Sequence, residues 1–310
     1  MRTHRVQSSV ESSVSLHVEE VGSGPSLLFI HEFAGDHRSW EPQVRHFSRR
    51  FRCVTYAARG YPPSAVPDEL SSYSQELAVQ DAFDVITQLE LAPTHVVGLS
   101  MGGFCALHLA REYPEMVQSA AIGGVGYGAA YKAREAFRRE CEVIARAFED
   151  EGSAQVAIRY AVGPARVQFQ NKDPRGHAEF QAMLAGHSSV GSALTMRGFQ
   201  KERPSLFDFE SELAGLSVPL LIMVGDEDGG AVDTSLALKR LIPSSGLVVF
   251  PRSGHTLNLE EPSLFNTTLE TFVFDVISGG WRPRDPRSLS SSTTGMDERS
   301  NSPRHSEATA

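Results

Sequence analysis

The sequence predicts an α/β fold, a mainly parallel, doubly wound sheet covered by helices on both faces and carrying an inserted helical cap. Three observations carry that prediction. Short apolar, β-branched runs alternate with segments of helical periodicity along most of the chain. One long central stretch breaks the alternation and reads as helix throughout. At 310 residues and 41% hydrophobic content, the chain can build one large core plus an insertion.

The elements follow in order. Residues 1–11 read as an N-terminal extension. Val14, Leu16 and Val18 alternate with polar residues, and Gly22-Ser23-Gly24-Pro25 forms a turn into Leu27-Leu28-Phe29-Ile30. That pattern reads as strand, hairpin, strand. Trp40 to Phe51 reads as a helix, and Cys53-Val54-Thr55-Tyr56 as a buried strand. Ser74 is placed to cap a helix whose apolar face is Leu77, Ala82, Val85, Ile86 and Leu89. His95-Val96-Val97 and Ser119-Ala120-Ala121-Ile122 are further strands. Pro219 to Val224 and Leu247 to Phe250 complete the sheet. The core is thus expected in two parts, 12–128 and 214–278. Between them, 129–213 is expected to be the cap. There, Phe137, Cys141, Ile144 and Phe148 recur at helical spacing on an otherwise charged segment. That stripe is expected to dock over the reaction pocket or on a neighbouring cap helix. Residues 279–310, rich in Ser, Arg, Pro, Asp and Thr, bury too little apolar surface to offset ordering entropy and are expected to be disordered.

Composition excludes several function classes. The net charge is −9 and no dense Lys/Arg run occurs, so nucleic acid and anionic membrane are poor partners. No apolar run approaches the ~20 residues of a spanning helix. Met1-Arg2-Thr3-His4-Arg5 is followed by no apolar signal region. Three widely spaced cysteines, Cys53, Cys105 and Cys141, read as free thiols in a reducing, cytoplasmic setting. No phosphate-loop sequence or metal-ligand spacing stands out, so no cofactor is expected. Gly124-Val125-Gly126-Tyr127-Gly128-Ala129 partly mimics a dinucleotide fingerprint, but more helix follows where a second strand is required. A flexible hinge into the cap is the expected role.

The pentapeptide Gly98-Leu99-Ser100-Met101-Gly102 carries the chemistry. It lies between a buried strand and a helix that ends before Pro114. A serine there sits on a sharp turn at the sheet edge, beside the positive end of the helix dipole. Its hydroxyl needs a base, and the base needs an anion to fix its tautomer. His255 follows the last strand at the edge where parallel sheets place ligands. Asp226, Glu227 and Asp228 follow another strand at that edge and compete for the acid role.

With these motifs in chain order, the sequence resembles the α/β-hydrolase superfamily from about Ser12 to Ile277. The resemblance implies a Gly-x-x-Asp acid, matched by Gly225 to Asp228, so that Asp228 is favoured over Asp226. It implies a Gly-His histidine, matched by Gly254-His255 ahead of Glu261-Pro262. It also implies a His-Gly-x-x-Gly loop, matched by His31-Glu32-Phe33-Ala34-Gly35, with the Phe33 and Met101 N–H groups as the oxyanion hole. Two departures stand out. Glu32 replaces glycine and must point away or pair with an arginine such as Arg38 or Arg59. Ala57 and Pro62 stand where the family's Asp-x-Arg-Gly-x-Gly-x-Ser loop has aspartate and glycine. The expected function is a serine hydrolase acting on a small-molecule acyl substrate, a carboxylic ester or lactone. The alternatives are a carbon–carbon bond hydrolase on a diketone-type substrate and a non-catalytic small-molecule receptor.

Overall fold

The structure is a computed structural model that describes residues 1–289 and 294. Eight strands form one sheet: β1 (Arg2–Gln7), β2 (Ser15–Val21), β3 (Ser26–Ile30), β4 (Arg52–Tyr56), β5 (Thr94–Leu99), β6 (Val117–Gly123), β7 (Leu220–Gly225) and β8 (Ser245–Phe250). Their spatial order is β1-β2-β4-β3-β5-β6-β7-β8. The pairs β1–β2 and β2–β4 are antiparallel, and every later pair is parallel.

Two expectations change here. β2 and β3 are not a hairpin, because β4 lies between them and pairs with both. Gly22–Pro25 therefore carries the chain across one strand position and does not close a two-strand turn. The extension expected over 1–11 contains an edge strand, β1, with Val6 buried against Leu16 in register.

The central parallel strands β3, β5 and β7 are buried along their whole length, and period two sorts their side chains. Leu28 and Ile30 of β3, Val96 of β5 and Ile222 of β7 join one core cluster. Leu27 and Phe29, Val97, and Leu221 and Met223 join the other. The first face is covered by α2 (Gln75–Gln88), α3 (Met101–Glu112) and α10 (Gly229–Leu241); the second by α1 (Glu41–Phe47) and α12 (Pro262–Ile277). Ser74 caps α2 by accepting from the Leu77 N–H. The helix read from Trp40 to Phe51 is shorter, a 3-10 turn at His37–Trp40 followed by α1.

Between β6 and β7 the chain is helical: α4 (Tyr131–Glu151), α5 (Ser153–Tyr160), α6 (Val167–Lys172), α7 (Pro174–Ala185), α8 (Ser189–Leu194) and α9 (Glu210–Ala214). A wide π-helical turn spans Thr195–Gln200. This insert has its own apolar cluster, in which Cys141, Phe148, Phe169 and Phe180 meet Phe33, Ala34 and Met101 of the core. It therefore packs on the edge of the sheet where β3 and β5 end. A four-residue helix, α11 (Leu257–Glu260), precedes α12.

Just past Gly279, one residue of the expected tail makes contacts with the core. The Trp281 indole packs edge-on against Phe272 at 4.6 Å and donates to the Ser244 carbonyl. Of the tail expected to be disordered, 290–293 and 295–310 lie outside the described residues.

Candidate active site

β3 and β5 are neighbours at the centre of the sheet, and the strand order reverses between them. Loops leaving a sheet at such a switch point diverge and open a crevice. Ser100 follows β5 and Phe33 follows β3.

Ser100 has φ 51° and ψ −114°, left-handed and costly for a residue with a Cβ. Its surroundings hold it there. The Ser100 N–H donates to the Gly123 carbonyl at 2.7 Å, and the Phe104 N–H returns to the Ser100 carbonyl at 2.9 Å. The flanking glycines are needed for close approach. A Cβ on Gly98 would meet the Gly102 carbonyl at 2.1 Å, and one on Gly102 would meet the Ile30 carbonyl at 2.1 Å. Met101 opens α3, so its N–H is among the first four that lack an intrahelical acceptor. The helix is buried from Met101 to Ala110, and its positive end faces the crevice.

His255 and Asp228 meet. The His255 Nδ1–H donates to Asp228 Oδ2 at 2.7 Å, a tautomer assigned from the carboxylate acceptor that leaves the Nε2 lone pair free. The Tyr127 hydroxyl donates to the other carboxylate oxygen at 2.8 Å. Asp228 is fully buried and His255 nearly so. Burial opposes the Asp228 charge, but His255 and Tyr127 outweigh it and hold the carboxyl below its ordinary range. Burial also opposes protonation of His255, but the Asp228 charge and hydrogen bond outweigh it, and the pKa is raised above 6.5. The other two acids lie elsewhere. Asp226 accepts from the Ser253 N–H and Glu227 from Gln168.

The insert grips the histidine loop. The His255 N–H donates to the Ala165 carbonyl at 2.8 Å, and Glu260, held by Lys172, accepts from the Gly254 N–H. Glu32 is not paired with Arg38 or Arg59. Arg38 binds Asp36, and Arg59 makes a bidentate pair with Asp81. The partner is Arg166 of the insert, at 3.0 and 2.6 Å, with both side chains buried. Arg166 also donates to Thr256 Oγ1, next to His255. Burial opposes both charges, yet the pairing keeps Glu32 below the usual carboxylate range. The ion pair thus neutralises the carboxylate beside the Phe33 loop. The Tyr61 hydroxyl donates to the Phe33 carbonyl at 2.9 Å, and His31 bridges the Glu32 carbonyl and the Ala58 N–H.

Ser100, His255 and Phe33 border one cavity of about 560 Å³, walled by Phe137, Ile144 and Tyr160 of the insert among others. The stripe on α4 divides: Phe137 and Ile144 face this cavity, whereas Cys141 and Phe148 fill the insert's own core. The segment 124–128, read as a hinge, packs closely against the core at two of its glycines. A Cβ on Gly126 would lie 2.3 Å from the Gly230 carbonyl, and one on Gly124 3.1 Å from the His255 ring. Sequence reasoning missed Tyr127, Arg166 and Tyr61. Tyr127 sat in a stretch that looked flexible, and no pattern marks the other two. Among the described residues one trio, His17, Glu19 and His37, brings three ligand atoms within 4.8 Å. It involves β2 and the turn before α1, none of it bordering the Ser100 cavity.

The sequence profile of the Alpha/beta hydrolase family matches residues 27–268. The chain is 26% identical over 267 residues to 3-oxoadipate enol-lactonase 1 of Acinetobacter baylyi, covering 84% of this chain and 93% of that one. It is 27% identical over 272 residues to 2-(acetamidomethylene)succinate hydrolase of Mesorhizobium japonicum, covering 84% and 92%. Among solved structures, an esterase from Thermogutta terrifontis superposes with a TM-score of 0.78 at 23% identity, over 89% of this chain and 99% of that one. With a family match that spans most of the chain, this protein belongs to the alpha/beta hydrolase family and is an α/β-fold hydrolase.

Proposed function

We propose that this hydrolase cleaves a carboxylic ester or lactone through an acyl-enzyme on Ser100. One observation carries the reading: a serine held at positive φ borders the same cavity as a histidine whose far nitrogen is fixed by a buried carboxylate. In the proposed reaction His255 Nε2 takes the Ser100 proton as Oγ attacks the carbonyl carbon. Asp228 stabilises the imidazolium that forms. The Phe33 and Met101 N–H groups bind the developing oxyanion, each donor contributing about 3–4 kcal/mol in the transition state. Collapse of the tetrahedral intermediate breaks the C–O bond, and His255 protonates the departing alkoxide. Water, deprotonated by the same histidine, then releases the acid. Relatives named as an enol-lactonase and an esterase support this substrate class.

We assign residues 129–213 as a cap that shapes the acyl pocket without supplying the nucleophile, base or acid. Three buried free cysteines fit the proposed cytoplasmic setting. No helix among the described residues is long and apolar enough to cross a membrane. The test is a panel of p-nitrophenyl esters of rising acyl length, with lactones and a β-diketone alongside. Ester or lactone turnover by the wild type, abolished in Ser100→Ala, is expected. Turnover of the diketone alone would move the assignment to carbon–carbon cleavage. No turnover of any member would favour a receptor.

A further inference from the structure

Among the described residues three arginines are buried: Arg59, Arg166 and Arg203. Two of them hold a carboxylate in bidentate geometry, Arg59 with Asp81 and Arg166 with Glu32. Arg203 does not. Among the described residues no carboxylate lies within ion-pair distance of its guanidinium. Among the described residues its acceptors are neutral, the Gln200 side-chain oxygen and the Tyr127 carbonyl. Its Nε is buried and has no partner among the described residues. Aromatic faces cover it, Phe104 at 3.7 Å and Phe137 at 5.0 Å. These soften the cost of burial but do not neutralise the charge.

The neighbourhood adds positive charge. Arg134 donates to the Arg203 carbonyl at 2.8 Å, and its own Nη1 is buried without a partner. The adjacent acid, Glu202, is taken by Arg138 on the surface. Glu140, also on the cavity wall, is exposed. Burial without a counter-charge lowers the Arg203 pKa to about 9, which still leaves it charged at neutral pH.

An uncompensated buried cation costs stability, and folded proteins tolerate one where a ligand completes it. Arg203 borders the cavity that Ser100 and His255 border. It is reached through the wide turn Thr195–Gln200, which also brings Met196 and Gln200 to the cavity wall. The Tyr127 carbonyl that it binds belongs to the residue whose hydroxyl holds Asp228.

We propose that Arg203 is the anchor for a carboxylate on the substrate, so that the enzyme acts on an ester or lactone that also carries a free acid group. The guanidinium fork suits a carboxylate, which accepts two parallel N–H bonds. The apolar stretch between the two ends of such a substrate would lie along Phe33, Tyr160 and Met196. The catalytic part of this inference rests on the serine-hydrolase reading; the binding part does not.

The test compares monomethyl glutarate, adipate and pimelate with methyl pentanoate, hexanoate and heptanoate, in which a methyl group replaces the carboxylate. Wild type is expected to favour the half-ester at one or more lengths. In Arg203→Gln the ratio of kcat/KM, half-ester over neutral ester, is expected to fall about 30-fold or more. Arg203→Lys should recover part of it. In parallel, glutarate, adipate and pimelate are titrated calorimetrically into Ser100→Ala, and into Ser100→Ala carrying Arg203→Gln. Binding that weakens by the same factor supports the site even if Ser100 proves unreactive. Should Arg203→Gln fail to fold, the wild-type ratio and the dicarboxylate titration of Ser100→Ala still decide. Preference for the neutral ester at every length with no dicarboxylate binding would overturn the inference and leave the hydrolase reading standing. So would an unchanged ratio in a folded Arg203→Gln protein.

Discussion

At the residue scale, the site is set by which oxygen meets which nitrogen. Asp228 gives one oxygen to His255 and the other to Tyr127, so its carboxylate has a single orientation. Asp226 holds only the turn before the histidine. Asp228→Asn is therefore expected to lower kcat by about 10⁴-fold, the scale of a wrong histidine tautomer in a serine protease. Asp226→Asn should be far milder, and the reverse ranking in steady-state assays would misassign the acid. The pH profile follows from the same pair. A base must be neutral to accept a proton, and the Asp228 charge raises the His255 pKa above 6.5. Activity should fall as pH drops through that raised value, with a midpoint above 6.5 in kcat/KM. In Asp228→Asn the raising charge is gone, and the midpoint of the residual activity should move to lower pH. A flat wild-type profile from pH 5 to 8 would exclude a histidine base. The turn glycines and the serine were legible in the sequence because each meets a local requirement of backbone geometry, and the histidine because it directly follows the last strand at the ligand edge. Tyr127 and Arg166 were not, because their partners lie 101 and 134 residues away in the chain.

At the element scale, the insert does more than cover the sheet. Its segment Pro164–Arg166 reaches the histidine loop through the Ala165 carbonyl and the Phe33 loop through Glu32. Phe148 adds an edge-on contact with Phe33 at 5.9 Å. Two of the three chemical elements of the site are thus braced by the same stretch of insert. Breaking a buried ion pair on one side leaves the other charge unpaired, at a cost of about 3–5 kcal/mol. Arg166→Met alone should lower Tm sharply, and adding Glu32→Leu should recover most of the loss. Equal Tm values for wild type and Arg166→Met would remove the bracing role. The pH dependence has a definite sign. The folded Glu32 pKa is depressed, so its contribution is present above its ordinary value of 4.5 and fades as pH falls through the depressed one. The strand pattern was readable because burial on both faces leaves unbroken apolar runs. The pairing of β2 was not, since a short Gly/Pro turn reads the same whether the next strand lies adjacent or one position further.

At the scale of the whole molecule, one sheet with a reversed strand order brings the ends of β3 and β5 together, and the insert closes over them. The overall architecture was legible because the rhythm of strand and helix persists through the core and fails only in the insert. The contact of Trp281 was not legible in a stretch of linker composition, because the Ser244 carbonyl that its indole binds lies 37 residues away in the chain. What the molecule does as a catalyst depends on Ser100 being activated within that assembly. Only a serine with a base and an oxyanion hole reacts quickly with a fluorophosphonate. The folded wild-type protein is incubated with a fluorophosphonate probe, digested and mapped by mass spectrometry. A single adduct on Ser100, absent from Ser100→Ala and strongly slowed in Asp228→Asn, is the predicted result. An adduct on a different serine, or none on folded protein, would contradict the account.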